Sequence, residues 1–91
     1  MLHFRIQTTA DISDVLRAQR NERSLSQSEL AGRAGIGRQQ ISDIESGKSG
    51  MRVSSLLRLL DALDLDLHVV ERTPTEDAHL NLDELLGLDD D

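Results

Sequence analysis

The sequence predicts a mainly α-helical domain of four to five helices with a short β-strand at each end. Three observations predict it. Apolar residues recur at helical spacing in successive windows between residues 10 and 63. Hydroxyl residues ahead of those windows and glycines behind them mark starts and stops. Within the body of the chain, strict alternation of apolar and polar side chains marks residues 2–7 and 65–69.

Each element follows in chain order. Leu2, Phe4 and Ile6 alternate with His3, Arg5 and Gln7, the pattern of a half-buried strand. Thr8 or Thr9 can cap the next segment, with Asp11 in its first turn. Ile12, Val15, Leu16 and Gln19 then predict a helix from about Ala10 to Asn21. Arg20 falls on the buried edge of that stripe, an unusual place for a charge. Ser26-Gln-Ser-Glu29 reads as a capping box opening a helix over Gln27 to Ala34, with Leu30, Ala31 and Ala34 inward. Gly35 suits the left-handed residue that ends it, and Gly37 opens a third helix, Arg38 to Ser46, closed by Gly47. On that helix Ile41, Ile44 and Glu45 share one face, while Arg38, Gln39, Ser42 and Asp43 point elsewhere. Ser54 or Ser55 is expected to cap a fourth helix with the stripe Leu56, Leu59, Leu60 and Leu63. Leu65, Leu67 and Val69 alternate with Asp66 and His68 as a second strand. The two strands can pair within one chain or between two; a lone two-stranded ribbon is marginal, which favours pairing at a dimer interface.

Two short helices joined by a glycine-containing turn are a helix-turn-helix pattern. Residues 25–48, from Leu25-Ser-Gln-Ser-Glu-Leu-Ala through Ala34-Gly-Ile to Ile41-Ser-Asp-Ile-Glu45 and Gly47-Lys48, resemble the Xre/Cro family of phage repressors and bacterial regulators. The resemblance spans about residues 12–65 and implies a lambda-repressor-like fold. Within the family, the stretch from Gly47 to Leu67 is most similar to HipB-like antitoxins, which carry a strand before the first helix and another after the last. Ser24 departs from the family, which usually has glycine after the first helix.

The residue types at the head of the third helix suit base reading, because an α-helix fits the major groove and base edges differ there. Arg38 suits guanine O6 and N7, and Gln39 suits adenine N6 and N7, with Gln40 and Ser42 nearby. Asp43 either accepts from cytosine N4 or orients Arg38. Resemblance implies that Gln27, heading the second helix, binds backbone phosphate and braces the reading helix. Ser26 and Ser28 flank it at a helix N-terminus that favours phosphate oxygen. Lys48 and Arg52 are expected phosphate contacts, and Arg33 is either a further one or a solvated surface charge. The family pairs an arginine of helix one with a glutamate of helix three, which maps here onto Arg20 and Glu45 as a structural ion pair.

Other signals carry no chemistry. Ser46-Gly-Lys-Ser49 lacks the first glycine of a phosphate-binding loop, since Ser42 stands there, and a helix precedes it. His3, His68 and His79 lack ligand spacing, and no nucleophile or paired-carboxylate arrangement appears, so neither metal, cofactor nor enzymatic activity is expected. The chain has no cysteine, no apolar run near ~20 residues and no signal-like start, which fits a cytoplasmic protein.

A net charge of −7 opposes nucleic acid at first sight. Its distribution removes the objection. Residues 1–72 hold ten basic and ten acidic side chains, whereas 73–91 hold seven acids and no Lys or Arg. The sequence therefore divides into a DNA-binding and dimerisation domain, 1–72, and an acidic, flexible tail, 73–91, which begins Thr73-Pro74 with the only proline. Leu82, Leu85 and Leu86 recur at i, i+3, i+4 in that tail and could anchor a partner. The expected function is repression through an inverted-repeat operator in double-stranded DNA, bound by a homodimer. By resemblance, the chain would be a HipB-like antitoxin that also neutralises a HipA-like kinase toxin. A stand-alone Xre-type regulator and a protein-interaction adaptor are the alternatives.

Overall fold

The computed structural model describes residues 3–48 and 50–72. Leu2 and the acidic segment 73–91, with Leu82, Leu85 and Leu86, lie outside the described residues. Four helices are present among the described residues: α1 (Thr9–Glu22), α2 (Gln27–Ala34), α3 (Arg38–Ser46) and α4 (Val53–Ala62).

Local chemistry sets the helix starts. Thr8 caps α1, its hydroxyl accepting the Asp11 N–H at 3.2 Å. Asp11 Oδ2 in return accepts the Gln7 and Thr8 N–H groups at 2.8 and 3.1 Å. Those backbone bonds, Gln7 first, hold the Asp11 carboxyl below the usual carboxylate range. Ser26 and Glu29 form the same reciprocal box at the head of α2, at 2.9 and 2.8 Å, and the Ser26 N–H lowers Glu29 in the same way.

Every helix ends on a left-handed residue. Gly35 and Gly47 close α2 and α3, each at φ 73°. Ser24 and Asp64 do so after α1 and α4, at φ 54° and 61°. Around both, two amides turn back onto free carbonyls: Leu25 to Arg20 (3.1 Å) and Ser24 to Asn21 (2.9 Å), then Leu65 to Leu60 (2.8 Å) and Asp64 to Asp61 (3.0 Å). These are Schellman closures made without glycine. Ser24 thus adopts the left-handed conformation that glycine would adopt there.

The core gathers Leu16 from α1, Leu25, then Leu30, Ala31 and Ala34 from α2, Ile41 and Ile44 from α3, and Leu59 and Leu63 at the end of the fold. Helix α2 packs on both α3 and α4, and α1 packs on α3. Helix α3 is therefore held from two sides.

Two expectations are corrected. Helix α4 starts at Val53 with Arg52 as its N-cap residue and no side-chain cap, rather than behind Ser54 or Ser55. Ser55 is buried within the helix, where its hydroxyl accepts from Gln40 Nε2 at 3.1 Å. Neither predicted strand forms among the described residues. The single chain gives neither segment a ladder partner, and a strand without one leaves its backbone groups to water. Both segments instead border one apolar groove of about 560 Å³, which Phe4, Ile6, Val15, Leu56, Leu60 and Leu67 help to line. Phe4, Ile6, Leu67, Val69 and Val70 remain exposed, Val69 at 95%.

Candidate nucleic-acid interface

The site is built on α3 and the two helix ends around it. The turn Gly35-Ile36-Gly37 joins α2 to α3, with the Gly35 and Ile36 N–H groups both bonded to Ala31 O at 2.9 and 3.1 Å. Ile36 packs against the core, which fixes how α3 leaves the turn. The inward side of α3 is anchored at several points. Ile41 and Ile44 are buried. Ser13 of α1 donates its hydroxyl to Ile44 O at 2.6 Å. Gln40 is tied to Ser55 of α4.

The firmest anchor is ionic. Arg20 Nε donates to Glu45 Oε2 at 2.6 Å and Nη2 to Oε1 at 2.9 Å, a bidentate pair with side chains only 13% and 5% exposed. Arg20 Nη1 also reaches Leu25 O at 2.7 Å. The Glu45 bonds raise the Arg20 guanidinium pKa against the opposing effect of burial. Gln27 Nε2 donates to Glu45 Oε1 at 3.2 Å. One carboxylate therefore joins α1, the head of α2 and α3. A charge so placed is tolerable because its oxygens are satisfied, and no described buried side-chain polar atom lacks a partner.

The outward side is polar. Arg38 and Gln39 are exposed in the first turn, and Ser42 and Asp43 are half-buried. Gln39 Nε2 donates to Asp43 Oδ1 at 3.1 Å, so Asp43 is turned to Gln39 and not to Arg38. Gln40, grouped with the base readers from sequence, is exposed and donates one amide N–H to Ser55 of α4. Ser26 is occupied as the α2 cap, Ser28 is exposed, and the N-terminus of α2 lies beside α3 through Gln27. Arg33, Arg38, Lys48 and Arg52 are exposed and form no ion pair with any described residue. Of the two buried hydroxyls that lock α3, Ser13 was not singled out from sequence and Ser55 was singled out only as a helix cap. Their signal was weak: each is a small polar residue at an inward helical position.

Comparison with known proteins gives this geometry a context. A family model described as helix-turn-helix matches residues 16–70. The chain is 39% identical over 66 residues to y4mF, an uncharacterized HTH-type transcriptional regulator of Sinorhizobium fredii (strain NBRC 101917 / NGR234), covering 72% of this chain and 87% of that protein. Among solved structures it is similar to a mutant of the restriction-modification controller protein C.Esp1396I, with a TM-score of 0.62 and 26% identity over 64% of this chain and 75% of that one. In fold it is also similar to a HipB variant in complex with an O2 20mer, with a TM-score of 0.73 and 19% identity over 79% of this chain and 100% of that one. HipB in a HipA–HipB–O2–O3 complex gives a TM-score of 0.70 at 22% identity, over 76% and 97% of the two chains.

Proposed function

The chain belongs to the helix-turn-helix family of transcriptional regulators, and from that premise we propose that it represses transcription by occupying a specific double-stranded operator as a homodimer. The observation that carries the reading is α3 itself. Its inner side is locked by Glu45, Ile41, Ile44 and Gln40, while Arg38, Gln39, Ser42 and Asp43 face away from the core. A rigid helix with a polar outer side at its N-terminal half is what major-groove reading requires.

Arg38 and Gln39 are assigned to base edges. The N-terminus of α2, with Ser26, Gln27 and Ser28, is assigned to phosphate, together with Lys48, Arg52 and Arg33. The glutamine at position 27 couples the two tasks, since it heads α2 and touches the Glu45 carboxylate that holds α3. Phe4, Ile6, Leu67, Val69 and Val70 are apolar, exposed and at the two ends of the fold, which supports dimerisation there. Two protomers would then present α3 to successive major-groove faces about 34 Å apart, so the operator is an inverted repeat. No described helix is long and apolar enough to cross a membrane, and a DNA-bound regulator works in the cytoplasm.

The fold shared with HipB, which is also seen in complex with HipA, favours an antitoxin over a stand-alone regulator. In that reading the chain autoregulates its promoter and neutralises a HipA-like kinase toxin, and segment 73–91 is the candidate toxin-binding tail. Deletion of residues 74–91 then abolishes capture of a neighbouring gene product without abolishing DNA binding; undiminished capture removes the tail from the interface. The DNA reading is tested by mobility shift on the protein's own upstream region. Arg38→Ala combined with Gln39→Ala is expected to lose the specific shift. Lys48→Ala is expected to weaken all sequences evenly and to lower the salt slope by about 1. Equal binding by the double variant and the wild type would show that α3 is not the reader, whereas the absence of any specific shift with the wild type would favour the adaptor alternative.

A further inference from the structure

The outer side of α3 carries one internal hydrogen bond between two side chains among the described residues, and that bond decides what Gln39 can show to a base. Gln39 Nε2 and Asp43 Oδ1 are 3.1 Å apart across one turn of the helix. An ionised carboxylate only accepts, so the amide must turn its nitrogen toward Asp43 and its oxygen away. One N–H is spent. The second N–H and the carbonyl oxygen are left as an adjacent donor and acceptor.

Adenine offers the matching pattern in the major groove, an N7 acceptor beside an N6 donor. Guanine offers two acceptors, N7 and O6. An amide free to rotate can aim both of its N–H groups at that edge. An amide pinned at Nε2 cannot: its carbonyl oxygen meets guanine O6, acceptor against acceptor. We propose that Asp43 is a positioning residue for specificity, locking the Gln39 amide so that α3 selects adenine and rejects guanine at the base Gln39 meets. The proposal rests on α3 being the DNA-reading helix. It also accounts for a carboxylate on a surface meant for a polyanion. Asp43 weakens binding to every duplex through charge repulsion, and returns discrimination at one base.

The two effects have opposite signs, which makes the role testable. The full-length protein first selects a consensus from a pool of randomised duplexes. The consensus duplex, its single-base variants and an unrelated duplex are then titrated with wild type, Gln39→Ala, Asp43→Ala and Asp43→Asn. Wild type is expected to prefer adenine over guanine by about tenfold at one position of each half-site. Gln39→Ala erases that preference. Asp43→Ala erases it at the same position while binding the unrelated duplex at least as tightly as wild type, which also shows that the variant is folded. Asp43→Asn, whose Oδ1 still accepts the same hydrogen bond, keeps most of the preference. An unchanged adenine-to-guanine ratio in Asp43→Ala overturns the positioning role. So does a loss at a different base from the one lost in Gln39→Ala, because Asp43 would then read a base itself. A wild type that selects no consensus overturns the DNA-reading function and this inference with it, whereas a clear wild-type consensus with an unaltered Asp43→Ala ratio overturns this inference alone.

Discussion

Glu45 is the residue on which three helices depend. It takes two bonds from Arg20 and one from Gln27 while only 5% exposed. Such a pair adds little net stability over an apolar substitute, because desolvation offsets most of the attraction. Breaking it is a different matter, since one charge is then stranded. Glu45→Ala is expected to cost about 3–5 kcal/mol, a large part of the stability of a domain this size. Arg20→Met combined with Glu45→Leu should cost less than Glu45→Ala alone. Urea denaturation of both variants checks the order, and a double variant less stable than the single one would refute the stranded-charge account. How far these residues were legible depends on their reach. Arg20 and Glu45 stood out because helical periodicity placed both charges inward. The partner of Asp43 was less legible, because an outward carboxylate can serve a base, Arg38 or Gln39 and only the folded helix selects Gln39. Gln39 lies four residues before Asp43, one turn away on the same side of α3, whereas Arg38 lies five before it.

At the scale of the element, the helix ends explain which boundaries sequence could supply. Helices α2 and α3 are bounded by Ser26, Gly35, Gly37 and Gly47, residues whose backbone preferences are specific, and both agree with the approximate ranges that the sequence predicts. The start of α4 was misplaced because Ser55 has two competing uses, capping and core hydrogen bonding, and only tertiary contact with Gln40 decides between them. The terminal strands could not be resolved from one chain's pattern, since alternation reports a face and not the partner that completes the ladder. The left-handed ends also yield a paired prediction. A Cβ at Gly47 would meet nothing closer than Ser13 Oγ at 4.0 Å, so space does not forbid alanine, but φ 73° does. Gly47→Ala should cost about 1–2 kcal/mol. Gly32 lies within α2 with nothing within 4 Å of its added Cβ, and Gly32→Ala should gain about 0.5–1 kcal/mol. Denaturation midpoints of opposite sign are the expected result; two losses would mean that steric crowding governs both sites.

The whole molecule leaves its apolar ends uncovered, and the dimer proposed here gives them cover. Sedimentation equilibrium is expected to return twice the 10.1 kDa chain mass. Leu67→Asp, changing a half-exposed residue that lines the groove, should yield a monomer with undiminished helical circular dichroism and a steep loss of operator affinity. A Leu67→Asp protein that stays dimeric would move the interface elsewhere. The charge partition works at the same scale: the body is balanced and the seven surplus acids lie beyond residue 72, so the overall sign of the protein says nothing against a DNA-binding body. The anchoring of α3 has a further consequence, for how such a protein changes over generations. Fold and address are written in different letters of one nine-residue helix. Ile41, Ile44, Glu45 and Gln40 hold the helix, and Arg38, Gln39, Ser42 and Asp43 are excused from that work. In the proposed reading, a descendant acquires a new operator without renegotiating its core, provided that positions 39 and 43 drift together, because Gln39 selects its base only as Asp43 holds it.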